Sequence, residues 1–418
     1  MDFSYTDEQI ELKEKLNKFA REVMRPAAPK HDREQSVAWD VLKEASRQGI
    51  GTLEFMYGLG ADPQGIQTSI FAEELHWGCA GLALTIAGGG LAAAGIAASG
   101  TMEQMGEWVP LCFPQGDDLK VGAYAVTEPG AGSDVKSLKT TAKLEGDEWV
   151  LNGSKVFITN GGIADVTVVV AAVDPELGTR GQASFVVPKG TAGMSQGKKE
   201  DKLGIRASQT TEVILEDCRL PAEYLLGGMD KLNKKLERAR SGQRVGGANA
   251  LATFEVTRPF VAASALGIAR AAYEFTVEFL MDKQFEGKPA LETQAYQQQL
   301  ADIATEIDAA RLLTQRASWM GRAGVSMTGG QGSMSKLKAG DVAMWATAKC
   351  MDLVGPDAWS TELPLEKWYR DAKVYQIFEG TAQIQRMVIT RLQVNEFRQR
   401  IEEATQEVDA KKKEAVPA

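Results

Sequence analysis

Histidine is nearly missing from this chain, with only His31 and His76 among 418 residues. Two imidazoles rule out a multi-histidine metal centre and leave a serine-type triad only two candidate bases. His31 stands in a polar stretch and reads as a solvated surface residue; His76 follows Glu73 and Glu74 on a helical pattern and reads as structural. Cysteine is scarce as well: Cys79, Cys112, Cys218 and Cys350 form no CxxC pair, so neither a disulfide framework nor a zinc site is indicated. There is no P-loop. No basic excess exists, since the net charge is −9, which argues against nucleic acid or an anionic membrane as the main partner. No window approaches the run of about 18 apolar residues that a membrane span needs. The start, MDFSYTDEQIELKEK, lacks the basic and apolar regions of a leader. The expectation is a cytoplasmic protein with reduced thiols.

What is present divides by pattern. Thr6 and Gln9 form a capping-box signal, followed by Leu12, Leu16, Phe19 and Val23 at spacings of one helical stripe, which Pro26 is expected to end. Helical patterns follow at residues 39–48 and 67–74 and through an Ala/Gly-rich run to about residue 100. From about residue 121, short β-branched runs appear, TVVVAAV, ASFVVP and TEVILEDCRLP, bounded by Gly, Pro and Asp. Asn152-Gly153 between WVL and KVFI reads as a two-residue hairpin turn. No helix of crossover length separates these strands, so an antiparallel β unit is expected rather than a doubly wound sheet. Helical periodicity returns after a basic stretch at 231–240. The expected organisation is a helical domain (1–120), a middle antiparallel β domain (121–228), a C-terminal helix bundle (229–400) and a charged, frayed tail (401–418). Gly88-Gly89-Gly90 imitates a dinucleotide fingerprint but follows no strand.

Two segments carry chemistry. YAVTEPGAGSD (124–134) forces an irregular loop at Pro129, Gly130 and Gly132, whose backbone N–H groups, with Thr127 and Ser133, can meet an anion; a plain entry loop to the β unit is the alternative. YRDAKVYQIFEGTAQIQR (369–386) places Glu379 between Phe378 and Gly380 at a break between helices. A carboxylate held there in an apolar pocket would have its pKa raised toward the range of a general base; an ordinary surface acid is the alternative.

These two segments, in this order, resemble the signatures of the acyl-CoA dehydrogenases. NGSKVFITNG (152–161), KLGIRAS (202–208) and FEVTRP (254–259) lie between them where that family has its counterparts. The resemblance covers the chain from its first helices to about Val394. It implies an α+β multidomain fold: an N-terminal helical domain, a middle antiparallel β domain and a C-terminal four-helix bundle. It also implies FAD as cofactor, an acyl-CoA substrate, an electron-transfer flavoprotein as acceptor, and a homotetramer. By the same resemblance Glu379 is the base that takes the α-proton while the β-hydride goes to flavin N5. Tyr124, Val126, Thr127, Phe157, Thr159 and Thr381 would line the FAD, with Phe285 and Gln294 reaching the FAD of a neighbouring subunit. Ser133, Glu255, Arg258, Phe378 and Gly380 would border the substrate. Some branches of the family carry their glutamate at the position of Thr257, which cannot act as a base and leaves Glu379 as the candidate.

Three positions depart from the family pattern. Asp282 replaces an arginine, Asp352 a glutamine, and Pro356 the second glycine of a pair; two added carboxylates near a pyrophosphate are unfavourable. Lys283 in a rearranged segment, the basic segment 229–249, or a different homologue in a hetero-oligomer could each compensate. Rival readings are a flavin oxidase or monooxygenase of the same fold and a non-catalytic partner subunit. LALTIAGGGLAAAG (82–95) carries no charge to read an acyl carboxylate. Its small side chains leave room for a long, branched or cyclic apolar acyl group, unless they serve only to let helices pack closely.

Overall fold

In the computed structural model, residues 4–242 and 249–414 are described, and side chains within 4–242 and 257–406. Helix α1 (Asp7–Phe19) starts as its sequence dictates, with Thr6 Oγ1 accepting from Gln9 N at 3.3 Å and Gln9 Oε1 accepting from Thr6 N at 3.1 Å. Pro26 does not end this run. A widened π turn, Ala20–Met24, leads straight into α2 (Arg25–Glu34), and Pro26 falls in the first turn of α2, where its missing N–H costs nothing. Then come α3 (Trp39–Arg47), α4 (Leu53–Ala61), which the pattern did not announce, and α5 (Gln67–Gly78). The Ala/Gly-rich run is two helices, α6 (Ala80–Ala87) and α7 (Gly89–Ser99), so Gly88–Gly90 joins helix to helix; α8 (Met102–Trp108) closes the region.

The middle unit is one seven-stranded sheet. Its strands are β1 (Gly122–Ala125), β2 (Thr141–Glu145), β3 (Glu148–Thr159), β4 (Val166–Ala172), β5 (Gln182–Pro188), β6 (Met194–Lys199) and β7 (Thr210–Pro221). They run in the order β1-β4-β2-β3-β7-β6, with β5 also on β4. Most pairs are antiparallel, but β1 and β2 each pair with β4 in parallel, which corrects the purely antiparallel expectation. The Asn152-Gly153 hairpin is a second correction. The chain turns at Gly146 between β2 and β3, and Asn152-Gly153 instead forms a bulge inside β3 opposite β7. The reason is visible in the packing: a Cβ at Gly153 would lie 2.4 Å from Thr140 Oγ1, while Asn152 Oδ1 accepts from Asp217 N at 2.8 Å.

The basic stretch is helix α9 (Gly228–Arg240), which lays Met229, Leu232 and Leu236 on the sheet core. The bundle follows: α10 (Asn249–Leu280), a hairpin of β8 (Gln284–Phe285) and β9 (Lys288–Pro289), α11 (Gln294–Arg322), α12 (Gln331–Val354), α13 (Leu365–Ala372) and α14 (Ala382–Glu414). The supposed frayed tail is thus the end of α14 as far as Glu414. Two stretches, Ala80–Ser99 and Thr257–Leu280, are long and apolar enough to pass a membrane-span test, contrary to the expectation, but most of each is buried inside the protein as core. His31 is buried rather than solvated: Nδ1 lies 2.8 Å from Ser36 Oγ and Nε2 lies 3.1 Å from Asp40. His76 is buried with Nδ1 on Ala72 O at 2.7 Å, and all four cysteines are free and buried.

Candidate active site

Glu379 sits in the turn between α13 and α14 with φ +55°, a left-handed conformation that side chains rarely adopt. Gly380 follows at φ +88°. Two side chains hold this strained pair by its carbonyls. Gln385 Nε2 donates to Glu379 O and Gly380 O, both at 3.1 Å, and Lys336 Nζ from α12 donates to Gly380 O at 2.8 Å. A non-glycine residue is kept in such a conformation only when its surroundings over-determine it, which is common at reactive positions. Thr381 Oγ1 accepts from Ile384 N at 3.2 Å and so caps α14, and Phe378 packs edge-on against Tyr375 at 4.9 Å.

Among the described residues the Glu379 carboxylate receives one hydrogen bond, from Thr257 Oγ1 to Oε2 at 3.0 Å. Burial pushes its pKa from 4.5 up to about 7, against the downward pull of that hydroxyl and of the Lys336 and Arg258 charges. Burial likewise brings Lys336 down to about 8. A carboxylic acid poised near neutrality can accept a proton from carbon and release it again without a large penalty either way. Arg258 is buried and donates through Nη1 to Ser333 Oγ at 3.2 Å. Thr257, Arg258, Lys336, Phe378, Glu379, Gly380 and Gln385 therefore form one cluster. Glu255 lies outside the residues whose side chains are described.

A second cluster is built on the sheet. Tyr124 and Val126 are buried at the end of β1, and Thr127 leads into the irregular loop, where Ser133 is exposed. Glu128 is the brace of that loop. It accepts from Thr140 N at 3.0 Å, from Lys139 N, and from Lys155 Nζ at 2.7 Å, and Lys155 also donates to Val126 O at 3.0 Å. Lys155 is fully buried on β3. Its charge and those donors hold the Glu128 carboxyl below the usual range despite burial, while desolvation lowers Lys155 to about 8. Two residues on, Phe157 bulges out of β3 at φ +59° with 63% of its surface exposed. Thr159 is half-buried, and Asn160 follows at φ +62° with Nδ2 donating to Gly122 O at 3.2 Å.

The small residues of α6 and α7 fit tightly against this cluster. A Cβ at Gly88 would meet Asn160 Nδ2 at 2.8 Å, and one at Gly95 would meet Tyr124 Cε2 at 2.6 Å. At these positions the glycines serve close packing rather than an enlarged cavity, the second of the two readings raised by the sequence. The KLGIRAS segment is fixed to α13: Asp371 accepts from Ile205 N at 2.5 Å and pairs with Lys367, and Arg370 donates to Leu203 O at 3.0 Å.

Phe285 and Gln294 lie elsewhere. Phe285 stands on the hairpin after α10, edge-on to Tyr296 at 5.6 Å, and Gln294 opens α11. Thr257 and the end of α10 are separated by roughly 35 Å of helix, so one chain does not bring these two residues to its own Glu379. Sequence reasoning missed Lys336, Gln385, Glu128 and Lys155. The only signal was a lysine at each of two core-facing positions, Lys155 in β3 and Lys336 in α12, where a buried charge calls for a partner.

The chain matches the family models of the acyl-CoA dehydrogenase N-terminal domain over residues 6–113, middle domain over 123–218 and C-terminal domain over 245–393. It is 36% identical over 393 residues to the short-chain specific acyl-CoA dehydrogenase of Clostridium acetobutylicum, covering 93% of this chain and 99% of that one. It superposes on butyryl-CoA dehydrogenase from Megasphaera elsdenii with a TM-score of 0.83 and 35% identity, covering 93% and 99% of the two chains. A chain from a study of the electron transferring flavoprotein of Acidaminococcus fermentans and flavin-based electron bifurcation gives a TM-score of 0.81 and 33% identity, covering 94% and 99%. The chain belongs to the acyl-CoA dehydrogenase family, enzymes that carry FAD.

Proposed function

We propose that this enzyme dehydrogenates an uncharged short-chain acyl-CoA thioester at Cα–Cβ, with Glu379 as the base. The observation that carries the reading is the Glu379 carboxylate itself: strained in backbone, accepting one hydroxyl, and poised near pH 7. The residues present suit a flavin. An aromatic ring left exposed at Phe157, the half-buried Thr159 beside it, and a buried Asn160 Oδ1 without a hydrogen-bond partner among the described residues suit a surface that a flavin would cover. Tyr124, Val126, Thr127 and Thr381 would share in holding it, and Ser133, Glu255, Arg258, Phe378 and Gly380 would flank the thioester. When bound, FAD supplies the hydride acceptor. The protein's part is to place the α-carbon against Glu379, to keep that carboxylate desolvated until the proton arrives, and to hold the Glu379–Gly380 turn still through Lys336 and Gln385.

The short acyl group follows from the names of the relatives together with the close packing at Gly88 and Gly95, and it replaces the long, branched or cyclic group suggested by composition. An electron-transfer flavoprotein is the proposed acceptor. A cytoplasmic homotetramer is the proposed form, because Phe285 and Gln294 can serve a flavin only in another copy. Of the three compensations for Asp282 and Asp352, the α9 charges are the weakest: Lys231 binds Ser99 O, Lys235 binds Gln182 O and Arg240 binds Asp174 on their own chain. Lys283 lies 4.4 Å over the Phe279 ring, and Asp352 is exposed 3.8 Å from Lys349.

Anaerobic addition of butyryl-, hexanoyl-, octanoyl- and palmitoyl-CoA, with glutaryl-CoA as the charged control, tests the proposal through the flavin absorbance. The expected result is fast bleaching by the C4 and C6 thioesters and none in Glu379→Gln. Preferred bleaching by palmitoyl- or glutaryl-CoA would overturn the substrate class, and bleaching that survives Glu379→Gln would overturn the base.

A further inference from the structure

Helix α14 outruns the domain to which it belongs. The family match stops at residue 393, yet the helix continues to Glu414, adding about 30 Å of helix at 1.5 Å per residue. Every described residue from 397 to 406 is exposed, so this stretch of the arm packs against none of the described residues of its own chain. A lone polar helix of this length is marginal in water, and helices in proteins draw most of their stability from a buried face.

The arm has such a face. Val394, Phe397, Ile401 and Ala404 recur at alternating spacings of three and four, and Met387 lies one heptad before Val394. Met387 is 68% exposed, Val394 42%, Phe397 64% and Ile401 52%. In heptad terms Met387, Val394 and Ile401 fall at a, and Phe397 and Ala404 at d. β-branched residues at a favour two strands.

We infer that α14 forms a parallel two-stranded coiled coil with α14 of a second copy of this chain, along the Val394–Ala404 seam. Flanking charge decides both the partner and the direction. In the parallel arrangement the g positions Gln393 and Arg400 face the e positions Arg398 and Thr405 of the other copy, so no like charges meet along this seam; one heptad earlier Arg386 would face Arg391, and there Arg386 is paired with Asp341 of its own chain at 2.7 Å. Arg400 is moreover paired with Glu396 of its own helix. An antiparallel arrangement centred on the same seam would set Arg398 against Arg398 and Arg400 against Arg400 of the other copy, which is unfavourable. The acidic residues Glu402 and Glu403 fall on the outer face in both cases. The inference does not depend on the proposed reaction, and its test does not use activity.

Disulfide trapping in the full-length holoprotein decides it. Ile401→Cys places one thiol per chain at an a position, where two helices in parallel register face each other within disulfide reach. The native cysteines are buried and give little background. Under mild oxidation Ile401→Cys should trap more than half of the chains as covalent dimer, and the outward-facing Gln399→Cys less than a tenth of them. Adding Phe397→Glu to Ile401→Cys should abolish trapping while leaving the flavin spectrum unchanged. Equal trapping at 399 and 401, no trapping at 401, or trapping that survives Phe397→Glu would each overturn the inference.

Discussion

Glu128 and Glu379 are the same residue type, both withdrawn from water, and their surroundings send them in opposite directions. Glu128 meets a buried lysine and two backbone N–H groups, so its charge is fully compensated and its carboxyl stays below the ordinary range. Among the described residues Glu379 meets one hydroxyl at hydrogen-bond distance, with Lys336 directed to the Gly380 carbonyl instead, and burial carries it to about 7. The first is a strut that fixes the loop after β1; the second is left under-compensated and therefore able to take a proton. Pairs of carboxylates driven apart by environment are how one fold divides structural from acid–base work.

The comparison breaks hardest at Glu379 itself. Glu379→Gln should retain FAD and lower kcat by roughly 10³–10⁴-fold, the usual worth of a positioned base, as read in single-turnover flavin reduction. Lys155→Met should act on stability instead. It strands Glu128 as a buried, unpaired charge and should cost about 3–5 kcal/mol, seen as a lower denaturation midpoint. Lys155→Met combined with Glu128→Gln should recover part of that loss, and if it recovers none, the pair is not the brace.

A finer test follows from the direction of each contribution at Glu379. The base works deprotonated, so kcat/KM should rise with pH through about 7. The Thr257 hydroxyl and the Lys336 charge both favour the ionised form. Thr257→Val and Lys336→Met should therefore move that rise to higher pH and lower the rate at pH 7 about 2–5-fold, the scale of one hydrogen bond. A shift to lower pH in either variant would mean that the removed group does not favour the ionised form of Glu379. The smallest expected effect concerns the departures from the family pattern. Asp282→Arg should improve FAD retention by about twofold to fivefold, since exposed charge pairs are worth ~1 kcal/mol or less; equilibrium dialysis of FAD would show it.

Much of this site was legible before any coordinates. Phe378, Glu379 and Gly380 announce a carboxylate at a backbone break, and the Pro129–Ser133 loop announces irregular backbone, because glycine and proline mark such places locally. Asn152-Gly153 misled for the same local reason: the dipeptide permits a turn or a bulge, and the close approach of Thr140 chose the bulge. Pro26 misled likewise, since the π turn before it admitted a proline that an ordinary helix would not.

By itself the sequence determined the order helices, sheet, helices, through periods of 3.6 and 2, and it determined which carboxylate stands at the break. Tertiary structure alone decided that His31 is buried, that Lys155 neutralises Glu128, that Lys336 and Gln385 clamp the Glu379 turn, and that α7 lies flush on Tyr124. Periodicity is a property of neighbours along the chain. Charge compensation and desolvation depend on groups that meet only after folding: Lys155 lies 27 residues from Glu128, and Thr257 lies 122 residues from Glu379.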